Sequence, residues 1–119
     1  MEILGIGTDI IEISRIKEDM EKYPSFLEKI FCDDEIKYIK RKKNPYQTAT
    51  GYFCAKEAVS KALGTGFNGL LHKDIYVFND EKGKPCVKVE KYPDISFMLT
   101  ISHCNEYATA TAMAFKRGY

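Results

Sequence analysis

The chain of 119 residues lacks several features that define whole classes of protein. No apolar run approaches the roughly 20 residues of a transmembrane helix, so we expect no membrane partner. The first residues carry neither a basic region nor a cleavage site, and we therefore expect no secretory signal. No internal repeat or low-complexity linker is found, and the length favours a single domain over residues 1–119.

Close cysteine spacing is also missing, because no CxxC pair joins any of Cys32, Cys54, Cys86 and Cys104. This pattern predicts reduced thiols in a cytoplasmic protein, rather than a disulfide framework or a zinc site. No Ser/His/Asp or Cys/His arrangement follows from the spacing, and His72 gives no chemical signal. Carboxylates and lysines therefore remain as the candidate functional groups.

A large charge excess is absent as well, since the net charge is only +1. A neutral chain excludes general attraction to nucleic acid. Basic residues are nevertheless concentrated between Lys37 and Lys43, which points to a defined anionic partner. Three tyrosines interleaved with this region permit base stacking, so a nucleotide- or RNA-binding module using segment 37–53 is an alternative function. The tyrosines are Tyr38, Tyr46 and Tyr52.

The order of periodic segments predicts an α+β fold. Alternating patterns predict strands over residues 2–9, 75–78, 85–89, 95–102 and 108–115. Helical spacing predicts helices over 13–20 and 48–63, a short helix after Pro24, and another from Asp33 into the basic run. Gly64 is placed as the C-cap of the longest helix, and Asn44-Pro45 as a turn. One strand, several helices and then about four strands indicate mainly antiparallel pairing.

Two short motifs contain the candidate chemistry. Gly5-Ile6-Gly7-Thr8-Asp9 predicts a strand that ends in a carboxylate, with glycines that leave space around Asp9. In Phe53–Gly66, Glu57 and Lys61 stand four residues apart on one helical face. Lys56, Lys61 and the glycine-rich exit suit a diphosphate. Two carboxylates beside such a site suit Mg²⁺, which commonly shares its coordination with phosphates.

Each of these residues also has a plain structural interpretation. Asp9 is typical of a turn, and Glu57 with Lys61 is typical of an exposed helical pair. Arg15 stands three residues after Glu12 and suits a local ion pair, while His103 suits a hairpin turn. The residues alone leave these alternatives open.

Taken together, the motifs resemble those of the holo-acyl-carrier-protein synthases, the small bacterial 4′-phosphopantetheinyl transferases. The resemblance is carried by Gly5–Ile10 with Arg15, by Phe53–Ala58 with Lys61 and Gly64, by Gly83-Lys84-Pro85 and by Ile101-Ser102-His103. It implies the α+β fold of that family and a role in fatty acid biosynthesis. The implied reaction moves 4′-phosphopantetheine from coenzyme A to a serine of apo-acyl-carrier protein and releases adenosine 3′,5′-bisphosphate.

The resemblance also implies roles for particular residues. Asp9 and Glu57 match magnesium ligands, and together with Lys61 they form the implied catalytic set. Glu57 or a metal-bound water would take the serine proton. Arg15 matches a helix that meets the carrier protein. The residues implied to bind coenzyme A are Lys43, Tyr52, Lys61, Gly64, Pro85 and His103.

The family resemblance further implies a homotrimer with active sites between subunits, and no nucleic-acid partner. Tyr52 and Cys104 stand where some family members carry arginine and threonine. A catalytically silent subunit that only binds coenzyme A or the carrier is a further alternative. The two carboxylates argue against pure binding, because without a metal they would repel a polyanion.

Overall fold

The computed structural model describes residues 1–117, and its elements confirm the predicted α+β fold with antiparallel strand pairing. The helices are α1 (Ile13–Lys22), α2 (Phe26–Ile30), α3 (Asp33–Arg41), α4 (Pro45–Leu63) and a 3-10 helix (His72–Asp74). The strands are β1 (Glu2–Glu12), β2 (Ile75–Asn79), β3 (Pro85–Val89), β4 (Ser96–His103) and β5 (Tyr107–Lys116). Within the described residues, no helix is both long and apolar enough to cross a membrane.

The long helix α4 begins earlier than the sequence pattern predicted. Asn44 and Pro45 start the helix and do not form a separate turn, because the Asn44 side chain accepts a hydrogen bond from the Gln47 amide at 3.1 Å. Proline is tolerated at the first helical position, where its missing N–H would lack a partner in any case. At the other end Gly64 adopts φ 79°, which confirms the predicted glycine C-cap.

Helix α4 lies across a three-stranded antiparallel sheet of order β1-β5-β4, while β2 and β3 pair in a separate hairpin. Alternate residues of β5 are alanines that are almost completely buried: Ala108, Ala110, Ala112 and Ala114. Helix α4, which packs on β5, also contains small buried residues, including Ala55, Ala58 and Ala62. Small side chains on both elements let the helix and the sheet approach closely, so the position of α4 is tightly defined.

The glycines of β1 make room for a helix, not for a ligand beside Asp9 as the sequence suggested. A Cβ atom on Gly7 would lie 2.7 Å from both the Ala62 amide nitrogen and the Lys61 Cβ. Gly5 is crowded in the same way by the Ala62 backbone. The prediction of close approach to these glycines is therefore confirmed, but the approaching group is the backbone of α4.

The expectation for Lys56 was also wrong, because Lys56 lies in the core. Its side chain is fully buried, and Nζ donates to Glu35 Oε1 at 2.8 Å. The same ammonium group donates to the carbonyl oxygens of His72 (2.8 Å) and Ile75 (2.7 Å). Glu35 in turn accepts from the Val77 amide at 2.8 Å. Lys56 therefore joins α3, α4 and β2 and is not available to a diphosphate.

The opposite face of the three-stranded sheet is exposed and partly apolar. Ile6, Met113 and Met98 pair in one row across β1, β5 and β4. Ile6 is 71% exposed and Met98 is 52% exposed, while Ile10 nearby on β1 is 64% exposed. Exposed apolar side chains that lie next to one another are typical of an interaction surface.

Candidate active site

Asp9 lies on the α4 side of β1, and its carboxylate is only partly engaged. Oδ1 lies 3.3 Å from Lys61 Nζ, which also donates to the Thr8 carbonyl at 3.0 Å. Oδ2 is buried and has no hydrogen-bond partner. The backbone is held as well, because Thr109 Oγ1 donates to the Asp9 carbonyl at 2.7 Å. A fixed carboxylate with one orphaned buried oxygen is costly unless a cation or donor completes it.

Glu57 stands one turn before Lys61 on α4, and its carboxylate faces the same region. The side chain is 28% exposed. Burial raises the pKa of Glu57, the nearby Asp9 charge raises it further, and the Lys61 and Arg15 cations oppose the rise. The structure therefore brings Asp9, Glu57 and Lys61 together as predicted from the two motifs. In the described part of the chain, no group of three or more His, Cys, Asp and Glu side chains is placed to hold a metal.

His72 also belongs to this cluster, although no motif in the sequence pointed to it. Its Nε2 atom lies 4.0 Å from Glu57 Oε1, is buried and has no hydrogen-bond partner. The ring stacks on Phe67 and on Phe53, with centroids 3.9 and 5.4 Å away. Burial lowers the pKa of His72, and the nearby Lys56 cation lowers it further. No local pattern predicts this contact, because His72 is fifteen residues beyond Glu57 and reaches it through the loop after α4.

Three of the residues expected to bind coenzyme A line one cavity of about 210 Å³: Tyr52, Pro85 and His103. Tyr52 is 3% exposed, donates to Asn79 Oδ1 and stacks in parallel on Tyr38 with centroids 5.4 Å apart. Burial raises the pKa of Tyr52 well above its usual range, so it stays a neutral donor. The cavity is thus lined by two tyrosines, a histidine and several small or polar residues.

The cavity and the carboxylate cluster lie on different sides of α4. Tyr52 and Glu57 are five residues apart, which corresponds to about 140° around a helix. Lys43 is exposed and is not among the residues lining the cavity, and Gly64 is exposed at the end of α4. One protomer therefore presents two separate groups of candidate residues.

Arg15 is exposed on α1, and its positive charge lies near enough to Glu57 to oppose the rise in the Glu57 pKa. The suggested ion pair of Arg15 with Glu12 is not found among the described residues, which leaves its guanidinium available to a partner. Lys37, Lys40 and Arg41 line an adjoining groove of about 540 Å³ with aromatic side chains of β2, and this groove shares Tyr38, Tyr52 and Asn79 with the first cavity. The basic run therefore borders the cavity that contains Tyr52, Pro85 and His103.

Comparison with known proteins identifies relatives of this chain. The 4′-phosphopantetheinyl transferase superfamily matches residues 5–112. The holo-[acyl-carrier-protein] synthase of Caldanaerobacter subterraneus subsp. tengcongensis is 44% identical, over 96% of this chain and 95% of its own length. That of Clostridium botulinum strain Eklund 17B is 46% identical, over 93% of this chain and 96% of its own.

Solved structures similar to this chain belong to enzymes of the same kind. A holo-(acyl-carrier-protein) synthase from Bacillus anthracis, in complex with CoA (3′,5′-ADP), is 38% identical with a TM-score of 0.86. The match covers 96% of this chain and 97% of that one. The Helicobacter pylori enzyme in complex with coenzyme A is 32% identical with a TM-score of 0.84, covering 92% of this chain and 99% of that one.

Proposed function

The chain belongs to the 4′-phosphopantetheinyl transferase superfamily, among the holo-acyl-carrier-protein synthases, and we propose that it modifies an acyl carrier protein in a magnesium-dependent reaction. The 4′-phosphopantetheine arm of coenzyme A is transferred to a carrier serine. Adenosine 3′,5′-bisphosphate is released. The observation that carries the proposal is the placement of Asp9 and Glu57, from distant parts of the chain, beside Lys61.

The carboxylate cluster fits a divalent cation. Mg²⁺ prefers oxygen ligands and is usually held by one or two carboxylates. Asp9 Oδ2 is a buried acceptor without a partner, and Glu57 is a half-buried carboxylate whose pKa is raised by burial and by Asp9. A cation between them would satisfy the first and relieve the repulsion at the second. When bound, such an ion would neutralise charge on the coenzyme A diphosphate as the phosphoryl bond breaks.

The remaining residues position the reactants. The carrier serine oxygen forms the new bond to phosphorus, and the bond from phosphorus to the bisphosphate oxygen breaks. The serine proton passes to Glu57 or to water. The Lys61 ammonium is held by hydrogen bonds to Asp9 and to the Thr8 carbonyl. Its positive charge stabilises the diphosphate and the departing bisphosphate. Arg15 is free to meet the acidic surface of the carrier.

Coenzyme A is the co-substrate, as supported by its presence in the B. anthracis and H. pylori relatives. We place its adenosine 3′-phosphate end at the pocket formed by Tyr52, Pro85 and His103. Lys43 and the amide region at Gly64 supply additional phosphate contacts. Since this pocket and the carboxylates lie on different sides of α4, we assign one active site to two neighbouring subunits.

From the family resemblance we propose a homotrimer, and a site shared by two subunits agrees with such an assembly. The apolar row of Ile6, Met113 and Met98, in which Ile6 and Met98 are exposed, supports an interface between sheets of neighbouring subunits. The enzyme acts in the cytoplasm, where the carrier proteins of fatty acid biosynthesis occur.

Mass spectrometry of an apo-carrier incubated with coenzyme A and Mg²⁺ tests this function. The expected result is a carrier heavier by one phosphopantetheine group, together with free adenosine 3′,5′-bisphosphate. Addition of a chelator should stop the gain, and excess Mg²⁺ should restore it. A carrier whose mass stays unchanged, or a gain that is insensitive to the chelator, would contradict the proposed reaction.

A further inference from the structure

We propose that His72 is a positioning residue whose Nε2–H donates a hydrogen bond to the Glu57 carboxylate and fixes its orientation. The inference rests on the proposed function, because it assigns a partner to Glu57. His72 Nε2 and Glu57 Oε1 are 4.0 Å apart, and Nε2 has no other hydrogen-bond partner. A side-chain movement of about 1 Å brings the pair to an ordinary hydrogen-bond length.

The imidazole is held in place from two directions. Its ring stacks on Phe67 at 3.9 Å and on Phe53 at 5.4 Å. Phe53 stands four residues before Glu57, so both lie on one face of α4 and the ring is held over that face. The backbone of His72 is fixed separately, because its carbonyl accepts a hydrogen bond from buried Lys56 at 2.8 Å.

The chemistry of the pair selects one tautomer. A neutral imidazole has one N–H and one lone pair, and the nitrogen that carries the proton is set by its surroundings. Nε2 is buried toward a carboxylate, where a lone pair would be repelled and an N–H is attracted. Because Nε2 is out of contact with solvent, it does not reach the carrier serine. His72 therefore acts through Glu57, as second partners of ligating carboxylates commonly do.

Nuclear magnetic resonance of the imidazole nitrogens tests the tautomer without any activity measurement. The chain has only two histidines, so a His103→Gln variant leaves the His72 signals alone. The proposal predicts a proton on Nε2 and a shift of that resonance in Glu57→Gln. A proton on Nδ1, or a resonance that ignores Glu57→Gln, would overturn it.

Two substitutions separate the hydrogen bond from the packing. His72→Phe keeps the aromatic stack and removes the donor, while His72→Gln keeps a donor near the Nε2 position and removes the ring. We expect His72→Phe to lower kcat about tenfold, with the KM for the carrier unchanged, and to raise the Mg²⁺ requirement by about 10-fold or more. His72→Gln should recover most of both losses. Wild-type kinetics in His72→Phe, or a His72→Gln variant worse than His72→Phe, would overturn the proposal.

Folding is checked for each variant by circular dichroism and urea denaturation, and the tautomer measurement on the His103→Gln background still decides the inference if His72→Phe is unstable. Failure of the unmodified protein to alter the carrier would overturn the proposed function instead. The two failures are thus distinguishable.

Discussion

Replacing Gly7 by alanine tests whether the approach of α4 to β1 positions the carboxylates. Where alanine fits the native backbone without strain, Gly→Ala stabilises a protein by about 0.4–1 kcal/mol, because it restricts the unfolded chain. Gly7 has no positive φ that would forbid alanine. The new Cβ would instead lie 2.7 Å from the Ala62 amide nitrogen, about 0.7 Å short of the 3.4 Å at which ordinary contacts begin. The Ala58 carbonyl oxygen lies nearer still.

Because these atoms belong to helix backbone, α4 must retreat as a unit. Overpacking of this kind costs about 1–3 kcal/mol, so we expect Gly7→Ala to lower the free energy of unfolding by about 1–2 kcal/mol. Glu57 and Lys61 move with the helix while Asp9 stays on β1. A displacement approaching 1 Å at a reacting centre costs on the order of 10²-fold in rate.

Urea denaturation and the carrier-modification rate measure the two effects. Glu2→Ala is the matched control, since it lies on the same strand and is exposed, and it should change the free energy of unfolding by less than about 0.5 kcal/mol. A Gly7→Ala protein that is as stable and as active as the original would refute the close-packing explanation.

Four further substitutions test the remaining parts of the account. Asp9→Asn should lower the rate of transfer by at least about 10²-fold without loss of helix content by circular dichroism. Near-normal turnover in this variant would exclude Asp9 from the active site. Lys56→Met should cost about 3–5 kcal/mol in urea denaturation, because it leaves the Glu35 carboxylate buried and unpaired, and unchanged stability would refute that view. Ile6→Lys should yield monomers in analytical ultracentrifugation, and an intact trimer would contradict the sheet interface. Arg15→Glu should weaken carrier binding about tenfold in calorimetry while coenzyme A binding stays level; equal loss of both would rule out a carrier-specific role.

The sequence predicted the elements and the central pair of carboxylates, because both depend on local pattern. Helical spacing, a C-cap glycine and alternating strands follow from short-range rules, and each was found within a few residues of its predicted bounds. Asp9 and Glu57 were each identified from a short motif, and the structure places them close enough for the Asp9 charge to raise the pKa of Glu57.

The errors arose where a residue's surroundings come from distant segments. Lys56 is next to Glu57 in the chain but about 100° away around the helix, so whether it is buried depends on Glu35 of α3. The contact of His72 depends on the path of the loop after Gly64. Neither position could be predicted from spacing, because both require the tertiary packing of elements far apart in sequence.

In the proposed mechanism, Asp9 and Glu57 together hold one divalent cation beside the coenzyme A diphosphate. Mn²⁺, which shares the preference of Mg²⁺ for oxygen ligands, reports binding directly by electron paramagnetic resonance. Titration in the presence of coenzyme A should reveal one tight Mn²⁺ site per protomer, lost in Asp9→Asn and in Glu57→Gln. Undiminished Mn²⁺ affinity in both variants would contradict a cation site shared by Asp9 and Glu57.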